Sequence, residues 1–417
     1  MILVRWLADS LLQRTIPVEV TRVSGAELAK TGYPQRERER EAGSVEKPRV
    51  CFVMRFHPYY NVGGAEVQAW LLAKELARRG WETHYVFEHE DSGRGSERRE
   101  GVHMHRRKLR RRTLQVFGYR DLCTVLGDID AQIYYQRIGL PLTGMVARFA
   151  QSRGKKFVWA SSHFHDCVRD KFTQDRKMTH IHTYLLGKVN NVLYTRGIEE
   201  ADLIISQSHE QYRLLKQSFG RESVVIRNAY PIPEQSGFRK DVPPVVLWVA
   251  NLKPWKRPEL FVDLAQRCRH VRAHFVMIGG GEGDYARGIT DRVRGVPNLE
   301  YRGPLSLDEV NRLFEVASVF VNTSVEEGFP NTFIQAWMRE TPTVSLTVDP
   351  DGVIRENGLG FRSGSLQKLV EDVTLLVKER SLVEQMGQNA RQYAMKEHNI
   401  TKSATLLEEN LFELLKR

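Results

Sequence analysis

Residues 319–331 read Val319-Phe320-Val321-Asn322-Thr323-Ser324-Val325-Glu326-Glu327-Gly328-Phe329-Pro330-Asn331, and residues 332–339 follow with Phe333, Ala336 and Trp337 on one helical face. A short apolar run leads into a glycine-bearing loop and then into 3.6-residue periodicity, which predicts strand, loop, helix. A helix that begins this way offers free backbone N–H groups and the positive end of its dipole, which suits an anion such as a diphosphate. Glu327 stands in that loop. A carboxylate beside an anion is unfavourable unless it hydrogen-bonds hydroxyl groups, and an acid in a first turn also simply complements the dipole.

Outward from this stretch the same alternation continues. Residues 245–250, 274–278, 299–301 and 343–346 read as strands, with a helix over 258–268 and the run Gly279-Gly280-Gly281 after the second strand. That run lacks the spacing of a dinucleotide fingerprint, G-x-G-x-x-G with an acid about 20 residues on, so it is assigned to a cleft wall. Toward the N-terminus, Val50 to Met54 form an apolar run, Asn61-Val62-Gly63-Gly64 a turn, and Ala69, Leu72, Ala73 and Leu76 a helical stripe that Gly80 ends. Residues 83–87, 132–136, 156–160, 203–206 and 224–227 supply further strands. The expectation is α/β, with two doubly wound domains facing across a cleft and ligands beyond the carboxyl ends of the strands. Asn228-Ala229-Tyr230-Pro231-Ile232-Pro233 reads as the junction. Boundaries follow: a poorly structured extension over 1–47 ending in a charge run, a first domain over 48–228, a second over 229–395, and a helix over 396–417 returning to the first domain.

The 417 residues allow two or three domains. Apolar residues make up 41% and charged residues 27%, a folded composition rather than a disordered one. Without a long apolar run, no membrane span or signal core is expected. Four scattered cysteines at 51, 123, 167 and 268 give no zinc or disulfide pattern, and a cytoplasmic setting is the simplest reading. The net charge of +11 is local: residues 101–200 carry 18 basic and 8 acidic residues, most visibly His105-Arg106-Arg107-Lys108-Leu109-Arg110-Arg111-Arg112. Such a run is ordinarily a solvated loop or helix face. Its functional alternative is adhesion of residues 105–112 to an anionic membrane surface, which would make the protein peripheral. Nucleic acid is disfavoured, since no aromatic residues interleave the run.

The Glu327-Gly328-Phe329-Pro330-Asn331 loop with its helix, the Gly63-Gly64-Ala65-Glu66 turn, and the passage from Ala201-Asp202-Leu203-Ile204-Ile205-Ser206 to Asn228-Ala229 resemble the retaining nucleotide-sugar glycosyltransferases of family four. The resemblance covers about residues 49–395. It implies two Rossmann-like domains of the glycosyltransferase-B type, a glycan or lipid-linked acceptor held mainly by the first, and a nucleotide-diphosphate sugar held mainly by the second. It implies no metal and no cofactor beyond that co-substrate. The expected pathway is bacterial-type exopolysaccharide or cell-envelope polysaccharide synthesis.

By the same resemblance Glu327 contacts the donor sugar, with Gly328, Phe329, Pro330 and Asn331 lining the donor site. Gln335 stands where a second glutamate is expected to hold the ribose hydroxyls. Glutamine keeps an acceptor and adds donors, but neutral bonds are roughly half as strong as charged ones; alternatively Gln335 is a solvated second-turn residue. After the first strand of the second domain, Ala250-Asn251-Leu252-Lys253-Pro254-Trp255-Lys256-Arg257 puts Asn251 where an arginine is expected, and Lys256 on the expected lysine. As the glycosidic bond breaks, charge grows on the leaving phosphate and cations stabilise it, so Lys253 or Arg257 could compensate for Asn251. Gly280 lies beside the nucleotide. Gly63 and Gly64 allow close backbone approach on the acceptor side. In Ser162-His163-Phe164-His165-Asp166-Cys167, either His163 or His165 could face the donor; His165 is taken as catalytic and His163 as lying on the acceptor side. A metal on these histidines is disfavoured because no further ligand cluster is apparent. Asn251 and Gln335 also leave open an inactive sugar-nucleotide-binding homologue.

Overall fold

The computed structural model describes residues 47–60, 63–90, 95–108, 118–172 and 181–417; the predicted extension up to residue 46 and the run 109–112 lie outside them. The first domain is β1 (Arg49–Val53), α1 (Gly64–Arg78), β2 (Glu82–His89), β3 (Gly95–Arg99), β4 (Val102–Lys108), α2 (Tyr119–Ile129), β5 (Ile133–Arg137), α3 (Pro141–Ser152), β6 (Lys156–Ala160), α4 (Ile181–Glu199), β7 (Leu203–Ser206), α5 (His209–Phe219) and β8 (Val224–Val225). Its sheet runs β3-β4-β2-β1-β5-β6-β7-β8, parallel except for the β3–β4 hairpin. The second domain continues with β9 (Val245–Val249), α6 (Pro258–Arg267), β10 (His274–Ile278), α7 (Gly283–Arg294), β11 (Leu299–Tyr301), α8 (Leu307–Val316), β12 (Val319–Asn322), α9 (Asn331–Trp337), β13 (Thr343–Ser345), α10 (Val353–Glu356), β14 (Gly360–Arg362), α11 (Leu366–Lys378), α12 (Arg380–Glu397) and α13 (Ile400–Lys416). Its sheet order, β11-β10-β9-β12-β13-β14, is parallel throughout.

Strand alternation builds a core on each face of each sheet. In β1, Cys51 and Val53 join α2 and α3, whereas Val50 and Phe52 join α1 on the opposite face. Leu407, Leu411 and Leu414 of α13 complete that second cluster, so the chain's last helix packs on the first domain. Its Glu408 accepts from Lys47, Arg79 and Trp81. In β9, Val246 and Trp248 face α6 and α11, while Val245 and Leu247 face α8 and α9. The chain passes between domains twice, side by side: Tyr230 N donates to His398 O at 2.9 Å and Ile400 N to Tyr230 O at 3.0 Å.

Two sequence expectations change. The strand expected over 224–227 shortens to Val224–Val225. Residues 105–108 are neither loop nor helix face but belong to β4, paired with β2. Arg107 is buried there, ion-paired to Asp121 at 3.0 Å and donating to Gly118 O. A guanidinium spent on that ion pair is not available to a lipid surface. Val102 and Met104 supply the buried face of the same strand. Among the described residues no helix is long and apolar enough to cross a membrane.

Candidate active site

A cavity of about 490 Å³ lies between the domains. Every first-domain residue on its wall follows the carboxyl end of a strand or closes one: Gly64 and Ala65 after β1, Arg137 at the end of β5, Ser162 and His163 after β6, Gln207 after β7, Asn228 after β8. The second domain contributes Asn251 after β9, Gly279 and Gly280 after β10, Pro304 and Leu305 after β11, and the loop from Glu327 to Thr332 after β12. Parallel sheets place ligands at these ends, and here two such edges face each other.

Lys256 Nζ donates to Glu327 Oε1, and Ser324 Oγ donates to the same oxygen at 2.7 Å. Both charged side chains line the cavity and are mostly buried. They are held by a zipper between the turn after β9 and the loop after β12. Thr323 Oγ1 accepts from the Trp248 indole at 2.9 Å and donates to Lys256 O at 2.6 Å; Val325 N donates to Trp255 O at 2.8 Å. Arg257 completes the zipper, donating from Nε to Thr323 O at 2.7 Å and from Nη2 to Ser324 O and Thr347 Oγ1. Its backbone is left-handed, with φ +47°, a conformation that costs a non-glycine residue roughly 1 kcal/mol or more and that turns the chain into Pro258 of α6. Arg257 therefore positions the loop and does not line the cavity. Lys253 is exposed and also lies off the cavity wall. Neither fills the place that Asn251 leaves without charge.

The other domain does bring a cation to the same cavity. Arg137, to which the sequence reading gave no role, lines the cavity while almost fully buried. Its Nε donates to Ser162 Oγ at 3.2 Å and its Nη2 to Asn228 Oδ1 at 2.5 Å. With Lys256 it makes up the Lys and Arg side chains on the cavity wall among the described residues.

Of the two histidines, His163 lies on the cavity wall, and His165, expected to be catalytic, lies off it. His163 lines the cavity, with burial lowering its pKa so that the ring is neutral near pH 7. His165 points outward, 47% exposed, with Nε2 2.6 Å from Glu326 Oε1. His163 caps a four-residue 3₁₀ turn (Phe164–Cys167) that carries His165, and buried Asp166 fixes it by accepting from Ser162 N at 2.8 Å and His163 N at 3.1 Å.

Asn331 bridges the domains instead of waiting for a ligand. Its Nδ2 donates to Gly64 O at 2.9 Å, and its Oδ1 accepts from Gln68 at 3.2 Å and Asn228 at 3.1 Å. Phe329 is a core anchor, its ring tilted at 48° and centred 4.6 Å from the His398 ring, and its carbonyl accepts from Asn228. Pro330 caps α9, which spans seven residues, shorter than the sequence suggests, so its dipole contributes less than a long helix would. Gln335 is buried on the cavity wall rather than solvated, donating from Nε2 to Asn311 Oδ1 at 3.0 Å. Gly280 lines the cavity, but a Cβ there would make ordinary contact with Pro304 at 3.5 Å. The constrained glycines of that run are Gly279, at φ +146° against the Ala250 carbonyl, and Gly281, where a Cβ would meet those of Leu252 and Ala286 at 2.8 Å. At Gly63 a Cβ would strike the Glu66 carboxylate; Gly64 lies against Asn331.

Residues 62–232 match the family model described as Glycosyltransferase Family 4, and residues 243–379 match the model described as Glycosyl transferases group 1. With the two facing domains, these matches define a glycosyltransferase with the glycosyltransferase-B fold. Among solved structures, sucrose-phosphate synthase from Thermosynechococcus elongatus superposes with a TM-score of 0.71 at 14% identity, over 89% of this chain and 100% of that one. Anabaena HepE, solved with UDP and glucose, gives 0.68 at 15% identity over 88% and 100%. A glycosyltransferase from Rickettsia africae gives 0.68 at 13% identity over 89% and 99%. No curated protein matches the sequence.

Proposed function

We propose that the protein is a retaining glycosyltransferase that moves a sugar from a nucleotide-diphosphate donor to a hydroxyl of a glycan or lipid-linked glycan, in envelope-type polysaccharide synthesis on the cytoplasmic side of a membrane. The observation that carries this reading is the Lys256–Glu327 pair on the wall of a cavity shared by two facing sheet edges. Glu327 would accept hydrogen bonds from sugar hydroxyls, while Lys256 stabilises charge growing on the leaving diphosphate. In this scheme the bond from the anomeric carbon to the phosphate oxygen breaks, the acceptor oxygen bonds that carbon from the same face, and the acceptor's proton passes to the leaving diphosphate. No enzyme nucleophile and no metal take part. The neutral donor-side Asn251 is offset by Arg137 of the first domain, so the diphosphate is shared between domains. Closing the cleft then brings both cations to it and excludes water, which otherwise competes with the acceptor.

The test is a screen of uridine-, guanosine- and adenosine-diphosphate sugars by thermal shift and donor hydrolysis, with uridine first because the HepE structure holds UDP. A stabilising response to one base, with the anomeric configuration kept in the product, is expected; silence toward all three overturns the assignment. An inactive sugar-nucleotide-binding homologue is the second reading, favoured by Asn251 and Gln335 lining the cavity. Turnover lost in Glu327→Ala eliminates it.

A further inference from the structure

At the mouth of the cleft, one ligand atom each from His163, His165 and Glu326 lie within 4.8 Å of one another. The histidines belong to the first domain and the glutamate to the second. We propose that these three residues form a transition-metal site, with zinc as the ion, that staples the two domains together and restrains turnover. Two imidazoles and one carboxylate are a zinc donor set, which leaves a fourth position for water. Magnesium and calcium, which take oxygen ligands, do not suit it.

The site is largely preorganised. The 3₁₀ turn keeps the two histidine rings 5.0 Å apart and nearly parallel, at 16°. Asp166, buried and accepting from the two backbone amides that open the turn, holds that turn rigid. Glu326 already reaches His165 Nε2 at 2.6 Å across the domain gap. On binding, the proton shared in that contact goes to solvent, as metal binding to imidazole requires. His163 gives up one long bond, in which its Nδ1 accepts from His165 N at 3.3 Å, since a ligated ring must carry its proton on the other nitrogen.

The consequence for the enzyme follows from placement. His163 also lines the donor cavity, and Glu326 adjoins Glu327. A bound ion therefore holds His163 fixed at the cavity wall and fixes the cleft's aperture, so that donor entry and product release slow together. This effect rests on the glycosyltransferase reading, whereas metal binding itself does not.

The experiment titrates zinc into tag-free, chelator-treated protein against a chromophoric competitor, and follows thermal unfolding in parallel. One zinc per chain and a raised melting temperature are expected, with no response to magnesium. His165→Ala and the isosteric Glu326→Gln should each weaken binding by at least roughly tenfold, the lower end of what loss of even an outer partner of a metal site costs. In the Glu326→Gln variant zinc should no longer raise the melting temperature. Absence of stoichiometric binding overturns the site. Unchanged affinity in Glu326→Gln overturns the staple, because the ion would then belong to one domain alone. If zinc binds as described and no nucleotide sugar does, the site stands while the proposed function falls.

Discussion

Lys256 and Glu327 form an ion pair on the cavity wall. Lys256→Ala should lower kcat by roughly 10²- to 10³-fold, the range seen when one preorganised donor to a developing anion is removed, with a smaller change in KM; steady-state kinetics with whichever donor the screen returns decides it. Arg137→Gln should cost roughly tenfold or more in kcat/KM, since a charge-assisted hydrogen bond contributes about 1.5–3 kcal/mol, and in binding it should weaken the nucleoside diphosphate more than the free nucleoside. Gln335→Glu should tighten donor binding by a few-fold, because charged acceptors bond hydroxyls about twice as strongly as neutral ones; calorimetry showing equal affinity would remove Gln335 from the ribose subsite. At this scale the sequence was most legible where the residue sits inside a contiguous motif. Lys256 and Glu327 follow strand ends in readable loops. Arg137 and Asn228 stand 91 positions apart and meet only in the folded chain, and Arg137 closes β5 with no motif around it. The order of His163 and His165 was unreadable because a 3₁₀ turn, and not a strand or α-helix, decides which of them faces inward.

Among elements, the β2–β4 edge shows what burial does to a basic-looking stretch. His84 stacks between His103 at 5.0 Å and His105 at 5.1 Å, its Nδ1 2.9 Å from His105 Nε2 and its Nε2 beside Glu82. Burial pushes His84 and His105 down to about 4 and lowers His103, against the opposing pull of Glu82 and with Arg98 and Arg49 adding to the depression at His103. The unfolded chain therefore takes up protons first, near pH 6.5. Stability contributed by the neutral rings is complete above about pH 6.5 and is lost as pH falls toward about 4. Melting temperatures should decline across that window, and a His84→Gln/His105→Gln double variant should decline less steeply, even though carboxylates titrate in the same range. The strands β3 and β4 escaped the sequence reading for a related reason. The arginines and histidines between residues 98 and 108 hid an alternation carried by only two apolar residues, Val102 and Met104. The three-residue edge strand β14 (Gly360–Arg362) was missed too, being too short to show a pattern; the other strands of both sheets were legible because parallel, doubly covered strands are apolar runs bounded by turns.

For the whole molecule, the architecture makes the first domain depend on the chain's last helix. Leu411 is about 1% exposed against α1 and β1, and Leu411→Ala should cost roughly 2–5 kcal/mol, read by chemical denaturation. Domain count and the place of the junction follow from sequence alternation. The hydrogen bonds that set how far apart the halves stand do not, because Asn331, Gln68 and Asn228 are ordinary polar residues until the fold brings them together. Gly328 governs the same spacing by having no side chain: a Cβ there would collide with the Ser162 carbonyl oxygen. Two backbones thus touch where any other residue would act as a shim. The width of the interdomain cavity is in this sense a mechanical dimension with an adjustment point at this residue. A graded series at position 328, from glycine through alanine to serine, offers a way to prop the chamber open by steps and to ask which bulkier donors it then admits.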